Sequence, residues 1–209
     1  VRPKDWPQYQ EWGRLAAAAG LVGVTFVHRL TTDDNVDVAG DDMETLLRHV
    51  REHAREYSLD PNRLCIALYS AGGPLAAPFL REPRPYVRCL VLYYPFLDLN
   101  HVGVHSPFRG PHSAERVAAL ASYSPARWLV PNADRLPPIF LARGGRDVIP
   151  GINSSIDRFM NMAFAAEIGI DFYLHRSGPH GLDRPAGPDA RSEEIVRATV
   201  EFLRRHLTR

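Results

Sequence analysis

The sequence predicts an α/β fold, a mostly parallel sheet with helices on both faces, and three observations carry that prediction. Apolar runs that do not alternate with polar residues, such as Leu64 to Leu68 and Val87 to Tyr94, read as strands buried on both faces. Stretches with apolar residues at helical spacing lie between these runs. Pro, Gly and Asp residues punctuate the joins. Strands alternating with amphipathic helices imply parallel strands joined by crossover helices. At 209 residues the chain is expected to form one domain, 1–209, with length enough for a sizeable core.

Taken in order, residues Val1 to Pro7 are irregular, with Pro3 and Pro7 as breaks. Tyr9 to Ala19 reads as a helix with Trp12, Leu15, Ala16 and Ala19 on one face and Gly20 as its stop. Leu21 to His28 is rich in β-branched and aromatic residues and reads as a strand. The polar segment Thr31 to Gly40 is expected to be a loop. Asp41 followed three residues later by Glu44 resembles a capping box, and Met43, Leu46, Leu47, Val50, Ala54 and Tyr57 continue as a helical stripe ending near Leu59. Asp60-Pro61-Asn62 turns the chain into the strand Leu64 to Leu68, and a helical pattern follows Gly73. Val87 to Tyr94, closed by Pro95, is the next strand. The irregular, Pro-rich stretch His101 to Arg135, with short helical pieces at Ala114 to Ala121 and Arg127 to Val130, is expected to be a lid-like insertion, because structureless segments of this length inside a compact domain are usually functional. Pro138 to Arg143 and Ile170 to His175 complete the strands. The helix Ser154 to Glu167 has Ile156, Phe159, Met160 and Ala163 on one face, and Glu193 to Leu207 closes the chain with Val196, Val200, Leu203 and Leu207 inward.

The chemistry concentrates where strands end. Ser70 follows the strand Leu64 to Leu68 at once, flanked by the small residues Ala71, Gly72 and Gly73, with a helical pattern beyond. Strand, sharp turn with a central Ser, then helix is the setting of a nucleophile elbow, whose strained turn requires small neighbours. The usual pattern has Gly two residues before the Ser, where this chain has Leu68, and an ordinary turn with Ser as a helix N-cap is the alternative. A serine hydroxyl needs a base, and the base an orienting group. In open parallel sheets such groups gather at the carboxyl ends of strands. There the sequence places Asp147, in Gly144-Gly145-Arg146-Asp147-Val148-Ile149-Pro150, and His180, in Gly178-Pro179-His180-Gly181. Asp147 could instead cap the next helix or pair with Arg146. Asp98 is the rival acid, read as part of a structural turn, and His175 is the rival histidine, read as core or sheet surface. Asp183 is read as capping a turn. The remaining histidines, including His49, His53, His101, His105 and His112, are read as solvated, and the three in the insertion match no metal-ligand spacing.

These segments, Tyr69-Ser70-Ala71-Gly72-Gly73, Gly144-x-x-Asp147-x-x-Pro150 and Gly178-Pro179-His180-Gly181, stand in the chain order Ser, acid, His. Through them the chain, from about Trp6 to its end, resembles the α/β-hydrolase superfamily, in the esterase and lipase branch near acetyl esterases and dienelactone-hydrolase-like enzymes. The resemblance implies a serine carboxylesterase acting on small acyl esters without a cofactor. It gives Ser70 as nucleophile, His180 as proton relay, Asp147 as its orienting acid and the Ala71 N–H as an oxyanion donor. It further implies an acyl pocket for which Tyr69, Phe108, Tyr123 and Trp128 are the candidates. A prolyl-oligopeptidase-like peptidase domain and a hydrolase-fold binding protein with impaired catalysis are the alternatives. The family's His-Gly-Gly-type loop, source of the second oxyanion donor, is not found before Ser70, and the chain begins with Val1 instead of Met. The expectation is therefore an N-terminally truncated α/β-hydrolase fold, with that loop and the first three family strands upstream of Val1. The family strand that separates Leu21 to His28 from Leu64 to Leu68 would be among them.

Composition excludes other partners. With 25 Lys+Arg against 24 Asp+Glu and scattered arginines, nothing marks a nucleic-acid surface. The most apolar stretch, Leu15 to Val27, is broken by Gly20, Gly23 and Thr25 and is too short to span a membrane. No signal peptide is visible. Cys65 and Cys89 lie in strand-like runs and read as two buried free thiols, which fits a reducing, cytoplasmic compartment. The partner expected is a small-molecule ester, and the oligomeric state is left open.

Overall fold

The computed structural model describes residues 3–29, 35–99, 113–184 and 189–208. Four parallel strands, β1 (Leu64–Tyr69), β2 (Val87–Tyr93), β3 (Ile139–Gly144) and β4 (Asp171–His175), form one sheet in the order β1-β2-β3-β4. Because sequence order equals spatial order, each crossover steps to the next strand. All four carboxyl ends lie at one sheet edge, which is where ligand sites form in such sheets. Helices α1 (Pro7–Ala18), α2 (Val36–Glu52), α3 (Ala77–Arg81), α4 (Ala114–Ser122), α5 (Pro125–Leu129), α6 (Ile152–Ala165) and α7 (Ala190–Leu207) accompany the sheet. Helix α7 packs across every strand, while α5 packs on both α3 and α6 and α2 lies against the turn after β1.

Burial of the apolar stripes drives this packing. Ile156, Phe159, Met160 and Ala163 of α6 are all buried, the face the sequence marked. The inward residues of α7 are Ile195, Thr199 and Phe202, one position before the expected Val196, Val200 and Leu203, which are half-buried. The rotation follows from a polar pair: the buried Tyr93 hydroxyl lies 2.7 Å from Thr199 Oγ1, which itself donates to the Ile195 carbonyl at 2.9 Å. A buried hydroxyl left without a partner would cost about 1–3 kcal/mol, so the threonine is drawn inward. At the start of α7 the side chain of Asp189 accepts the Arg191 and Ser192 N–H groups, so the helix begins three residues before Glu193.

Several expectations are corrected. Leu21 to His28 is not a paired strand, because the sheet ends at β1 and the described residues offer it no ladder. It runs beside α1, where Gly23 approaches Gly13 so closely that a Cβ would sit 3.0 Å from the Gly13 Cα. Helix α2 begins at Val36, within the expected loop, and ends at Glu52, short of Leu59, with Ser58 at φ 55° in the turns beyond. Its early start buries Val36, Ala39 and Gly40 on the same stripe as Met43, Leu47 and Val50. The chain after Ser70 first forms a 3-10 helix, Ser70–Ala76, before the short α3. Pro74 and Pro78 remove two donors, and the Ala77 N–H closes on the Pro74 carbonyl. Cys65 and Cys89 are opposite residues of β1 and β2 and are joined as a disulfide, with Cα atoms 4.7 Å apart. Strand register, which the separate apolar runs do not reveal, brought them together, and the two cysteines are therefore not the free thiols expected. No helix among the described residues is long and apolar enough to cross a membrane.

Candidate active site

The turn after β1 builds the first part of the site. Tyr69 ends the strand opposite Tyr93, and Ser70 follows with φ 51°, a left-handed conformation uncommon for a residue with a side chain. That strain is held by the surroundings, since the Ser70 carbonyl accepts the Phe96 N–H at 3.1 Å. Gly73 makes the approach possible, because a Cβ there would lie 2.4 Å from the Phe96 carbonyl oxygen. Gly72 instead faces open space. Leu68, in place of the pattern's glycine, is buried in the sheet, so the turn forms without a glycine at that position. Ala71 is the second residue of the 3-10 helix, ahead of its first intrahelical bond, so its N–H is one of the orphan donors of a helix start.

The loops after β3 and β4 interlock to build the second part. Gly145 N–H donates to the His175 carbonyl at 2.8 Å and Arg146 N–H to the Gly178 carbonyl at 2.9 Å. Cβ atoms at Gly144 and Gly145 would collide with the backbone of Pro179 and Arg176, so this contact requires both glycines. The result places the Asp147 carboxylate, fully shielded from solvent, 2.7 Å from Nδ1 of His180. The other Asp147 oxygen accepts the Ile149 N–H at 2.9 Å. A carboxylate facing Nδ1 keeps the proton there and leaves Nε2 as the acceptor. The His180 ring also packs on Tyr94, centroid to centroid 4.5 Å, with its side chain 23% exposed. Asp147 and His180 are thus brought together. Ser70 directly follows Tyr69, the strand partner of Tyr93, and its hydroxyl makes no hydrogen bond to His180.

The rivals have other partners. Asp98 is buried, 3.0 Å from the Arg158 guanidinium, and accepts from Ser124. His175 is buried with Nε2 2.8 Å from Asp189, Gly178 lies against its ring, and its Nδ1 has no hydrogen-bond partner. The His175 partner, followed by the Ser192 N–H, holds the Asp189 carboxyl below its ordinary range.

Four residues around His180 escaped the sequence reading. Asp183 does not cap a turn with its side chain. Its Oδ2 accepts the Gln8 amide at 2.7 Å and the Trp12 indole N–H at 2.9 Å, and its Oδ1 accepts the Tyr94 hydroxyl at 2.7 Å. The second Gln8 N–H reaches the Tyr94 oxygen at 2.8 Å. Burial first, then the Asp183 charge, raise the Tyr94 phenol above its ordinary range, so it stays a donor. Burial likewise raises Tyr69 and Tyr93. A polar Gln8 inside a helix gave no sign of this, and the one signal for Asp183 was its place in the His180 loop.

The pocket candidates are dispersed. Tyr69 stacks on Tyr93 at 5.5 Å and meets Tyr9 and Trp12 of α1. Tyr123 sets its hydroxyl against Gly40 of α2, and Trp128 donates to the Ser122 carbonyl at 2.8 Å with Arg127 over its ring. Phe108, like His101, His105 and His112, lies outside the described residues. Within the expected insertion, α5 is part of the fold, with Pro125, Ala126 and Leu129 buried and the Ala126 N–H on the Leu97 carbonyl.

Comparison with known proteins agrees with this architecture. Residues 5–151 match a family model described as alpha/beta hydrolase fold. Among solved structures, the chain superposes on a truncated form of a carbohydrate esterase from gut microbiota with TM-score 0.75 and 18% identity, covering 94% of this chain and 78% of that one. An acetyl ester-xyloside bifunctional hydrolase from Caldicellulosiruptor lactoaceticus gives TM-score 0.73 and 18% identity, covering 93% and 75%. A carboxylesterase from Lactobacillus plantarum gives TM-score 0.64 and 17% identity, covering 95% and 79%. At these identities the likeness is one of fold. No match was found among the curated proteins.

Proposed function

Since the chain belongs to the alpha/beta hydrolase fold family, we propose that it is a serine carboxylesterase cleaving small acyl esters through an acyl-enzyme. The observation that carries this reading is the shielded Asp147–His180 hydrogen bond, set at the sheet edge where the strained turn presents Ser70. The esterase names of the structural neighbours support an ester as substrate.

In this reading Ser70 Oγ attacks the ester carbonyl carbon while Nε2 of His180 takes the hydroxyl proton. Asp147 holds the imidazole in the required tautomer and stabilises the imidazolium. The Ala71 N–H, and a second donor that the described residues do not identify, face the developing oxyanion. Collapse expels the alcohol, which takes the proton from His180 and leaves an acyl-Ser70. Water then repeats the sequence, releasing the carboxylic acid. The missing Ser70–His180 bond is compatible with this, because hydrogen bonds of an empty catalytic site often tighten only with substrate. That same gap favours the second reading, a hydrolase-fold protein that binds without turnover.

A fluorophosphonate probe decides between them. Labelling of the chain, abolished by Ser70→Ala and accompanied by hydrolysis of p-nitrophenyl acetate, is the expected result. A folded chain that neither labels nor hydrolyses the ester would establish the binding reading.

A further inference from the structure

We propose that Asp183 is a positioning residue for His180, acting through Tyr94. The inference rests on the reading of Ser70, His180 and Asp147 as the reacting set. A hydrogen bond to one ring atom fixes distance but leaves the imidazole free to turn about the Nδ1 to Oδ2 line. The Tyr94 ring, tilted at 59° with its centroid 4.5 Å from that of His180, restricts that freedom. Tyr94 is fixed in turn. It follows β2 at φ 38°, is 2% exposed, and has its hydroxyl gripped by Asp183 and Gln8.

Asp183 closes a circuit. It stands three residues beyond His180 on the same loop, past Gly181 at φ 74°, where the Arg184 N–H turns back to the Gly181 carbonyl at 2.8 Å. The chain therefore runs from the imidazole along the loop to the Asp183 carboxylate, across to the Tyr94 hydroxyl, and through the Tyr94 ring back to the imidazole. The Gln8 and Trp12 bonds tie this circuit to α1, so the carboxylate accepts three donors, two from α1 and one from the residue after β2. Charge-assisted bonds of this kind are about twice as strong as neutral ones, and three donors converging on one half-buried carboxylate define a single position for the loop. The outcome is an imidazole held by two contacts, Asp147 at Nδ1 and the tilted Tyr94 ring beside it, with the second dependent on Asp183.

The test combines active-site titration, kinetics and proton NMR on the full chain. In the parent protein the Nδ1 proton of His180, assigned by its loss in His180→Gln, should resonate far downfield. In Asp183→Ala that resonance should broaden or move. kcat per fluorophosphonate-titrated site should fall by about 10²-fold with KM nearly unchanged, the size expected for a misplacement of about 1 Å. Asp183→Asn, which keeps the shape and one acceptor, should fall between the two. Where Asp183→Ala does not fold, Tyr94→Phe removes one of the three donors and should give the same two effects at smaller size. A folded Asp183→Ala or Tyr94→Phe with the parent's resonance and the parent's kcat per titrated site would overturn the proposal. If the parent itself fails to label, the esterase reading falls, and the Nδ1 resonance still decides whether Asp183 orients His180.

Discussion

At Asp147, two hydrogen bonds and complete shielding make one side chain responsible for the state of another. Asp147→Asn keeps the volume and the Ile149 contact but presents an amide where Nδ1–H needs an acceptor, so His180 is driven to the wrong tautomer. For the proposed esterase this should lower kcat by about 10⁴-fold with KM little changed, the scale on which such a substitution acts in serine triads. Steady-state kinetics on a soluble ester measures it, and a loss under about tenfold would remove Asp147 from the reacting set. The neighbouring glycines give a contrast at the same scale. Gly73→Ala forces a Cβ to 2.4 Å from the Phe96 carbonyl, against backbone that cannot step aside, whereas Gly72→Ala enters open space. Gly73→Ala should destabilise by about 1–3 kcal/mol and Gly72→Ala by far less. Thermal denaturation of the two variants side by side tests the turn directly, and equal effects would mean that the Ser70–Phe96 approach does not constrain it.

The ends of β1 and β2 meet α1 and α7 through tyrosines, and that junction has a pH signature. Burial raises the phenols of Tyr69, Tyr93 and Tyr94, with the charge of Asp183 adding to each. Above pH 10, the ordinary tyrosine value, the unfolded chain releases these protons while the folded chain keeps them. The stabilisation is therefore whole below that pH and lost as the pH rises, by up to about 1.4 kcal/mol per pH unit for each tyrosine. Urea unfolding at successive pH values should show this fall beginning near the ordinary tyrosine pKa, and Tyr93→Phe should reduce its slope. An unchanged slope would mean that Tyr93 ionises as readily folded as unfolded. Elements of this kind were partly legible beforehand. Unalternating runs such as Val87 to Tyr94 announced buried strands, and the loops ending in Asp147 and His180 were found because chemistry collects at strand ends. What local pattern could not carry was pairing across the sheet. Cys65 meets Cys89 through register alone, Leu21 to His28 has strand composition but no strand beside it among the described residues, and Asp183 meets Gln8 and Trp12 across more than 170 residues of chain.

At the scale of the whole molecule, one side of the sheet is open. β1 ends it, so among the described residues alternate N–H and C=O groups along its outer edge have no strand partner, and Ala67 is exposed. Earlier in the chain, the segment Leu21 to Val27 exposes Val22, Val24 and Val27, a β-branched row with the composition of a strand. An edge with apolar, β-branched character invites pairing with another chain, and the usual safeguards, charges or proline on the edge, are absent from Leu64–Tyr69. The chain of residues 1–209 should therefore self-associate as its concentration rises. Sedimentation velocity across a wide concentration range should show the average mass increasing, with the monomer recovered on dilution. Val24→Lys combined with Val27→Lys adds charge to a segment that makes no ladder, so it should suppress the association while leaving the melting temperature nearly unchanged. Retention of ester hydrolysis in that variant would place the sticky edge apart from the Asp147–His180 site. A chain that stays monomeric at every concentration would mean that the edge of β1 is already satisfied, and the open side of the sheet would then have no consequence for the molecule in solution.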